Sequence, residues 1–332
     1  MNAQSILVAG GAGYIGSHTA KLLARRNYQP VVLDNLVTGH RAAARFGPFY
    51  HGDIEDAQLI ARIAREYDIS SAVLFAAHAY VGESVENPGK YYRNNIVQSI
   101  ALLDALLAVG VRQIVFSSSC SVYGPQTRMP ITEDSSLDPL SPYAETKMFV
   151  ERVLRWYEKA YGLRYVSLRY FNAAGADPEG ELGECHDPET HLIPLAILSA
   201  LDKGTLRVFG DEYPTPDGTC IRDYVHVSDL AEAHVLALEH LQGERGSDTI
   251  NLGTGTGNSI LEVIRMVQQV GGRPVPYRTV SQRPGDAAVL VADREKAFRV
   301  LGWKPQLSEL KTIVQTAWDW HVHHPTPLGN SQ

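Results

Sequence analysis

The chain has 332 residues, a formal net charge of −7 and a hydrophobic content of 44%. This composition is ordinary for a globular protein of one large domain or two closely packed ones, and no basic stripe indicates nucleic-acid binding. No apolar run approaches the roughly 18 residues of a membrane helix, and no basic leader precedes the first strand. The three scattered cysteines, Cys120, Cys185 and Cys220, fit a reducing compartment. We therefore expect a cytoplasmic protein that binds neither membrane nor nucleic acid.

The first 170 residues alternate short apolar runs with helix-like segments. Predicted strands cover residues 6–9, 31–34, 49–50, 72–76, 114–117 and 165–168. Predicted helices cover about 14–26, 90–109 and 143–161, each with apolar residues on one stripe. This alternation predicts an α/β fold built on a doubly wound parallel Rossmann sheet.

The composition changes after residue 172, where residues 173–190 are rich in Gly, Pro, Asp and Glu. We expect residues 1–172 to form a Rossmann domain that binds a dinucleotide. Residues 173–332 are expected to form mainly a smaller, mixed α/β substrate domain. Parts of 223–255 are expected to return to the first domain.

A glycine-rich loop follows the first strand and opens the first helix. Gly10, Gly13 and Gly16 permit a tight turn and a close approach of the backbone to a pyrophosphate at the helix N-terminus. Asp34 ends the second strand, where a carboxylate accepts hydrogen bonds from a ribose diol and repels a 2′-phosphate. The spacing therefore predicts NAD rather than NADP.

Asp53, in Gly-Asp-Ile after the third predicted strand, has two interpretations. It could reach an adenine amino group, or it could cap the helix that follows. The sequence leaves both open.

A second group of residues is suited to moving a proton. Tyr143 and Lys147 lie one helical turn apart, so the ammonium group favours the phenolate form of the tyrosine. A serine cluster ends an upstream strand, where Ser119, or else Ser118, could bridge the substrate oxygen and the phenol. We expect proton transfer from a hydroxyl, coupled to hydride transfer.

Several motifs beyond these two have a recognisable pattern. They occupy residues 10–18, 33–36, 81–85, 117–124, 141–147, 169–172, 208–218, 222–226, 251–254, 283–286 and 301–303. Together they resemble the extended short-chain dehydrogenase/reductases, and most closely the UDP-glucose 4-epimerases among them. The resemblance covers almost the whole chain.

The resemblance implies an isomerase that holds NAD tightly and interconverts UDP-glucose and UDP-galactose through a transient 4-keto sugar. Tyr143 would be the base, Lys147 its activator and ribose anchor, and Ser119 the hydroxyl partner. The other cofactor contacts implied are Gly10, Gly13, Tyr14, Ile15, Gly16, Asp34, Asn35, Asp53, Ile54, Phe75, Ala76, Ala77, Asn94, Ser117 and Tyr170. The substrate contacts implied are Ser119, Ser121, Tyr143, Asn172, His191, Leu192, Phe209, Arg222, Arg283 and Asp286.

For Arg222 and Arg283 the alternative is a surface ion pair with Asp223 or Asp286. No metal site is expected, because the histidine-rich run at 321–324 has no partnering cysteine or carboxylate cluster. In the family that the chain resembles, the helices predicted at 90–109 and 143–161 meet across a dimer, so we expect a homodimer.

Two positions depart from the family pattern. Ala79 stands where many relatives carry a lysine near the cofactor phosphates, and Leu290 stands at a position that gates bulk near the sugar. The identity of the sugar therefore stays open between a hexose, a pentose (UDP-xylose/UDP-arabinose) and an N-acetylhexosamine.

A nucleotide-sugar dehydratase or decarboxylase is disfavoured because Cys120 and Ser121, not an acidic residue, follow Ser119. A non-catalytic NAD sensor is disfavoured because Tyr143 and Lys147 are both intact.

Overall fold

The computed structural model describes residues 3–243, 245–283 and 286–324. The strands are β1 (Ser5–Ala9), β2 (Gln29–Asp34), β3 (Phe49–His51), β4 (Ser71–Leu74), β5 (Gln113–Ser117), β6 (Arg164–Tyr170), β7 (Asn172–Ala174), β8 (Leu206–Phe209), β9 (Ile221–His226), β10 (Asp248–Leu252), β11 (Gly257–Ser259), β12 (Tyr277–Val280) and β13 (Val289–Leu290). The α-helices are α1 (Tyr14–Arg25), α2 (Ala57–Tyr67), α3 (Val81–Glu86), α4 (Pro88–Tyr91), α5 (Gln98–Ala108), α6 (Pro142–Tyr161), α7 (Leu192–Ala200), α8 (Val227–Gln242), α9 (Ile260–Gly271), α10 (Glu295–Leu301) and α11 (Leu310–His323). A π-helical segment, Tyr92–Val97, joins α4 to α5, and 3-10 turns cover Arg41–Ala43 and Cys120–Tyr123.

Seven parallel strands form the main sheet in the order β10-β6-β5-β4-β1-β2-β3. The chain winds outward from β1 to β3 and then crosses back to β4, so the order reverses between β1 and β4. Ligands of open α/β sheets bind at such a switch point, outside the carboxyl ends of the strands. The predicted doubly wound Rossmann sheet is confirmed.

Helices cover both faces of this sheet, which explains why its central strands are almost wholly apolar. On one face, α2, α5 and α6 contribute Ile60, Leu103 and Leu154 to a core that contains no exposed member. On the other, α1 and α8 contribute Leu23 and Leu238. Both faces of the sheet are therefore covered by helices, and ligands can reach it only at the carboxyl ends of the strands.

A smaller region is assembled from the later strands. β7, β9, β11 and β13 form a four-stranded sheet, and β8 pairs with β12. Around them α7, α9 and α11 bury Ile197, Ile264 and Val314 in a separate core. Between these elements the chain returns to the main sheet, because α8 packs on it and β10 pairs with β6.

The strand predicted at 72–76 is shorter than expected, since β4 ends at Leu74. The backbone nitrogens of Phe75 and Ala76 both donate to the carbonyl oxygen of Ala9, at 2.8 Å and 3.0 Å, which turns the chain out of the ladder. Ala76 then lies against Gly10, where an added Cβ would be 2.5 Å from the Ala76 nitrogen. The strand ends early because the glycine-rich loop occupies the space beside it.

The prediction of a single helix over residues 90–109 is also wrong in detail. Helical structure begins at Pro88 and is interrupted by the π-helical segment Tyr92–Val97. Wide turns of this kind are frequent at functional sites, and this one carries the buried side chain of Asn95. A helix after Asp53 was expected only in the capping interpretation of that residue, and the bounds of α2 were not predicted. In the described part of the chain, no helix combines the length and apolarity needed to span a membrane.

Candidate active site

The glycine-rich loop is packed so tightly that two of its glycines cannot be replaced without displacement. Gly10 has φ +82°, and a Cβ there would meet the Ala76 backbone. A Cβ on Gly16 would collide with the carbonyl oxygen of Gly10. The backbone of the loop therefore stays close to the first turn of α1, as a pyrophosphate cradle requires.

No side chain among the described residues caps the backbone amide groups at the N-terminus of α1. Gly13 is its N-cap residue and supplies no side-chain hydrogen bond. The first amide groups of the helix and its dipole are then available to a diphosphate. A Cβ on Gly13 would have only ordinary contact, 3.4 Å from the Gly10 oxygen, so this glycine faces the open side of the cradle.

Asp34 is held in a fixed orientation at the end of β2. Its Oδ2 accepts a 2.9 Å hydrogen bond from the Ala12 nitrogen, and its Oδ1 accepts a 2.8 Å bond from the Leu36 nitrogen. Burial raises the pKa of this carboxyl, and the two backbone donors oppose that rise. The remaining lone pairs can accept hydrogen bonds from a ribose diol, and the carboxylate disfavours a 2′-phosphate. The site thus fits NAD.

Asp53 is exposed and accepts a 2.7 Å hydrogen bond from Nδ2 of Asn35. It does not cap the following helix, because Asp56 accepts the hydrogen bonds of Gln58 and Leu59 at the start of α2. The capping interpretation is therefore wrong. Asp53 and Asn35 lie together beside Asp34, in the place where the adenosine end of the cofactor is expected.

A buried asparagine fixes the loop after β4. Asn95 accepts from the His78 nitrogen at 2.9 Å, donates to the His78 oxygen at 3.0 Å and donates to Oγ1 of Thr146 at 3.0 Å. Its neighbour Asn94 donates to Asn95 Oδ1 at 2.9 Å. This network joins the loop containing the predicted contacts Phe75, Ala76 and Ala77 to α6.

The three predicted catalytic residues converge at the carboxyl end of β5. Tyr143 and Lys147 are 7% and 4% exposed, and the Ser119 hydroxyl lies close enough to the Tyr143 phenol to affect the pKa of that phenol. Lys147 Nζ donates a 2.8 Å hydrogen bond to the carbonyl oxygen of Ser117 and lies 5.9 Å from the Tyr143 ring centroid. A substrate hydroxyl at this point would meet a phenol, a serine and an adjacent ammonium group.

Burial governs the electrostatics of this group more strongly than the sequence indicates. It raises the pKa of Tyr143 well above its ordinary value, with a smaller opposing effect of the Ser119 hydrogen bond. It also lowers the pKa of Lys147 to about 8, against the attraction of Glu151. The desolvation of Tyr143 therefore opposes the activation expected from Lys147, and any added positive charge near the phenol would favour the phenolate form.

The structure decides between the two candidate serines. Ser118 is fully buried and its hydroxyl donates a 2.6 Å hydrogen bond to Glu151. Ser119 instead interacts with Tyr143 and accepts a 2.9 Å hydrogen bond from the Ser121 hydroxyl. Ser117 and Tyr170 pair through their hydroxyl groups at 2.8 Å. Of the two serines, Ser119 is therefore the candidate for the hydroxyl partner of Tyr143.

Cys120 adjoins Ser119 but is not suited to nucleophilic chemistry. Burial raises the pKa of its thiol to about 12, with only a partial opposing effect of Arg222. The thiol therefore stays protonated and packs beside Val122 and Phe171.

Predicted substrate residues line the boundary between the large sheet and the smaller region. Arg222 Nη1 donates to the Ala287 oxygen at 2.8 Å, and its Nη2 donates to Asp286 at 3.0 Å. Asn172 Nδ2 donates to the Asp223 oxygen at 2.9 Å. Arg222 does pair with Asp286, but its side chain is only 11% exposed, so this is not a surface ion pair.

Arg283 has a different partner. Its guanidinium carbon lies 3.7 Å from the centroid of the Phe209 ring, a stacked arrangement that could cover a planar base.

Two further predicted substrate contacts lie at the start of α7: Leu192 is its first residue, and His191 is its N-cap residue. Pro284 and Gly285, which complete the 283–286 motif, lie outside the described residues.

Sequence reasoning missed the residues that support the site from behind. Glu151 binds Ser118 and Arg169, and Asn95 binds Thr146. One signal was available, since two adjacent asparagines inside a helical segment are unfavourable unless their side chains have specific partners.

The sequence model of the NAD dependent epimerase/dehydratase family matches residues 6–253. The chain is 49% identical to the UDP-glucose 4-epimerase of Halalkalibacterium halodurans over 97% of this chain and 96% of that protein. The chain therefore belongs to the NAD dependent epimerase/dehydratase family.

Two solved structures extend the comparison. UDP-glucose 4-epimerase from Brucella ovis in complex with NAD has a TM-score of 0.94 and 52% identity, covering 96% of this chain and 98% of that one. UDP-glucose 4-epimerase from Bifidobacterium longum in complex with NAD+ and UDP has a TM-score of 0.91 and 36% identity, covering 97% and 99%. The similarity thus includes the smaller region as well as the sheet.

Proposed function

We propose that this chain catalyses the interconversion of UDP-glucose and UDP-galactose by inverting carbon 4 of the sugar. The observation that carries the proposal is the convergence of Ser119, Tyr143 and Lys147 at the strand ends of a sheet that also carries an NAD cradle. Relatives with this fold, at 44–49% identity, are UDP-glucose 4-epimerases.

The chain's own contribution to the reaction is proton transfer. When bound, NAD accepts the hydrogen of carbon 4 with its electron pair and returns it. Tyr143 takes the proton of the 4-hydroxyl, while Ser119 holds the same oxygen. Because burial raises the pKa of Tyr143, its phenolate is a strong base for the 4-hydroxyl in the first half of the reaction, and the proton that it takes is returned to the same oxygen when carbon 4 is reduced again. Lys147 supplies positive charge that favours the phenolate in the first half.

The UDP portion is held by groups on the smaller region. Arg222 offers a guanidinium group fixed by Asp286 and the Ala287 carbonyl, a geometry suited to a diphosphate. Phe209 and Arg283 form a stacked platform for the uracil. An anchor at the diphosphate leaves the sugar able to present either face to Tyr143, as inversion requires.

We propose that residues 1–172 bind NAD and that residues 173–332 mainly bind the UDP-sugar, with parts of 223–255 belonging to the first domain. The pairing of β10 with β6 supports this division. Residues 1–2, 244, 284–285 and 325–332 lie outside the described part of the chain.

We also propose a homodimer in the cytoplasm. Phe149 and Trp156 lie seven residues apart on α6 and are 45% and 66% exposed. Val97, directly before the start of α5, is 56% exposed. A second copy of this chain would cover such a face. None of the three cysteines is in a disulfide, which fits a reducing compartment.

The experiment is product analysis of the purified chain on UDP-galactose with no added NAD. We expect UDP-glucose to form, because the cradle retains cofactor from expression. UDP-xylose and UDP-N-acetylglucosamine are tested in parallel. No turnover of UDP-galactose by protein shown to contain NAD would contradict the proposal, and turnover of the pentose alone would replace the substrate.

A further inference from the structure

A cluster of four potential metal ligands lies outside the catalytic group, on one short loop that leads into α7. Glu184, His186, Glu189 and His191 each offer one nitrogen or oxygen atom, and these atoms all lie within 4.8 Å of one another. From the sequence, no metal site was expected. The ligands were not recognised because their spacing of two, three and two residues fits no regular helix or strand.

The distances within the cluster suit a four-coordinate ion. The His186 Nδ1 atom is 3.0 Å from Glu184 Oε1 and 3.9 Å from Glu189 Oε1, and the His191 Nδ1 atom is 3.5 Å from Glu189 Oε1. His191 Nδ1 also contacts Glu184 Oε1. In a tetrahedron with metal–ligand bonds of about 2.0–2.1 Å, ligand atoms are separated by about 3.3 Å, and the observed values bracket this.

The charge of the cluster also points to a divalent cation. Two carboxylates carry two negative charges, and the side chain of Glu184 is only 4% exposed. Two neutral imidazoles and two carboxylates would balance one divalent ion without any residual charge. Imidazole with carboxylate is a donor set that zinc accepts.

A second cluster, which is wholly acidic, differs from this one because a lysine of the protein lies among its carboxylates. Asp177, Glu179 and Glu181 also lie close together, but Lys21 Nζ contacts all three, at 2.6 Å, 3.0 Å and 2.6 Å. A protein cation already fills that position. The Glu184 cluster has histidines in place of a lysine, and imidazoles can either share a proton with the carboxylates or bind a metal.

The ligands are supported by contacts of the kind that orient metal ligands. Glu189 Oε1 accepts hydrogen bonds from the backbone nitrogens of Thr190 at 2.6 Å and His191 at 2.8 Å, which fix the orientation of this carboxylate in the cluster. The Glu184 backbone oxygen accepts a 3.0 Å bond from Nε1 of Trp320. The loop is thus held in place on both sides of the cluster.

We propose that Glu184, His186, Glu189 and His191 form a structural site for a divalent transition-metal ion such as Zn²⁺. The site lies between two functional elements. The rings of Tyr14 and His186 meet edge to face at 6.2 Å, and Tyr14 belongs to the nucleotide loop. His191 is the N-cap of α7, which carries the predicted substrate contact Leu192. A bound ion therefore ties the nucleotide loop to the substrate region.

The test uses the full-length chain without an affinity tag, stripped with EDTA and dialysed. Co²⁺ is titrated as the probe, because four-coordinate cobalt absorbs visible light far more strongly than the hydrated ion, and Zn²⁺ is then added to displace it. We expect one equivalent of Co²⁺ to bind with a tetrahedral spectrum, Zn²⁺ to abolish that spectrum, and Zn²⁺ to raise the melting temperature.

Two ligand variants and two controls identify the site. His186→Asn and Glu189→Gln should each weaken metal affinity by about 10-fold or more. Cys185→Ser tests the thiol beside the cluster, and His323→Asn tests the histidine-rich end of α11; both should bind as the unmodified chain does. Circular dichroism of each variant in EDTA checks that it is folded.

Substoichiometric binding, or an octahedral cobalt spectrum, would overturn the proposal and leave a proton-sharing ion cluster. Equal affinity in folded His186→Asn or Glu189→Gln would overturn the ligand assignment. Loss of binding in His323→Asn would move the site to α11 and would equally refute the cluster. None of these outcomes depends on epimerase activity, so the result is separate from the test of function.

Discussion

Arg169 and Glu151 form a two-point ion pair inside the protein. Arg169 Nε donates to Glu151 Oε1 at 2.8 Å and Nη2 donates to Oε2 at 2.5 Å, with both residues at most 4% exposed. Ser118 donates to the same carboxylate, and the Tyr123 hydroxyl accepts from Arg169 Nη1 at 2.9 Å. The pair therefore ties α6, which carries Tyr143 and Lys147, to β6 and the serine loop.

Breaking this pair on one side should be costly. Glu151→Gln leaves a buried guanidinium group uncompensated, and we expect a loss of about 3–5 kcal/mol in unfolding free energy. The double variant Glu151→Met/Arg169→Met removes both charges and should lose much less. Urea unfolding followed by circular dichroism measures both. Equal losses in the two variants would show that the pair is not electrostatically coupled.

The phenol of Tyr143 is expected to carry the proton transfer. Tyr143→Phe removes only the hydroxyl, and we expect kcat to fall by about 10²- to 10⁴-fold, the usual contribution of general acid–base catalysis. Tyr161→Phe, at the exposed end of the same helix, is the matched control and should retain full activity. Initial rates on UDP-galactose give the comparison. Unchanged inversion by Tyr143→Phe would refute the proposed mechanism.

Two glycines of the nucleotide loop should separate cofactor binding from folding. Gly13→Ala meets nothing closer than 3.4 Å among the described residues, so we expect normal folding but loss of bound NAD, because a Cβ at the N-cap of α1 would take up room that a pyrophosphate needs. Gly10→Ala, at φ +82°, should lose both NAD and thermal stability. Gly82→Ala, with open space around it, is the control. The NAD content of denatured protein and the melting temperature are measured for each, and full NAD retention by Gly13→Ala would contradict the assignment.

Buried neutral histidines predict a loss of stability in mild acid. Burial lowers the pKa of His18, His226 and His234 from 6.5 to about 4. Between these values the unfolded chain binds protons that the folded chain does not, so stability falls as the pH decreases from 6.5 to about 4 and the effect then saturates. Each histidine contributes at most about 3 kcal/mol across this window.

His234→Leu isolates one of these residues, because its Nε2 has no hydrogen-bond partner among the described residues and its ring centroid lies 4.6 Å from that of Phe75. Whatever its stability at neutral pH, the variant should show a shallower fall in melting temperature toward pH 4. Parallel curves for the variant and the unmodified chain would exclude His234 as a source of the acid sensitivity.

The exposed face of α6 predicts self-association. Trp156→Glu places a charge on the apolar face, and we expect it to dissociate a dimer without unfolding the protomer. Arg152→Glu, exposed on the same helix, is the control for a change of charge alone. Light scattering after size-exclusion chromatography measures the mass. A monomeric unmodified chain would contradict the proposed homodimer.

The main elements of the site could be predicted because they depend on local spacing. Tyr143 and Lys147 lie on one face of α6 as a consequence of the helical repeat, and Gly10, Gly13 and Gly16 follow β1 in sequence. What could not be predicted involves residues distant in the chain. The interruption of the helix at Asn95 depends on partners 17 and 51 residues away.

By itself, the sequence determined the sheet, the position of the glycine-rich loop and the spacing of the candidate residues Tyr143 and Lys147, since each is encoded within one or two turns or strands. Only the tertiary structure decided that Ser118 is bound to Glu151 while Ser119 lies beside the phenol, and that burial raises the pKa of Tyr143. It also brought Glu184 and His191 together in a loop with no regular repeat. The physical reason is that desolvation and side-chain direction outside helices are set by the packing of distant segments, which local spacing does not encode.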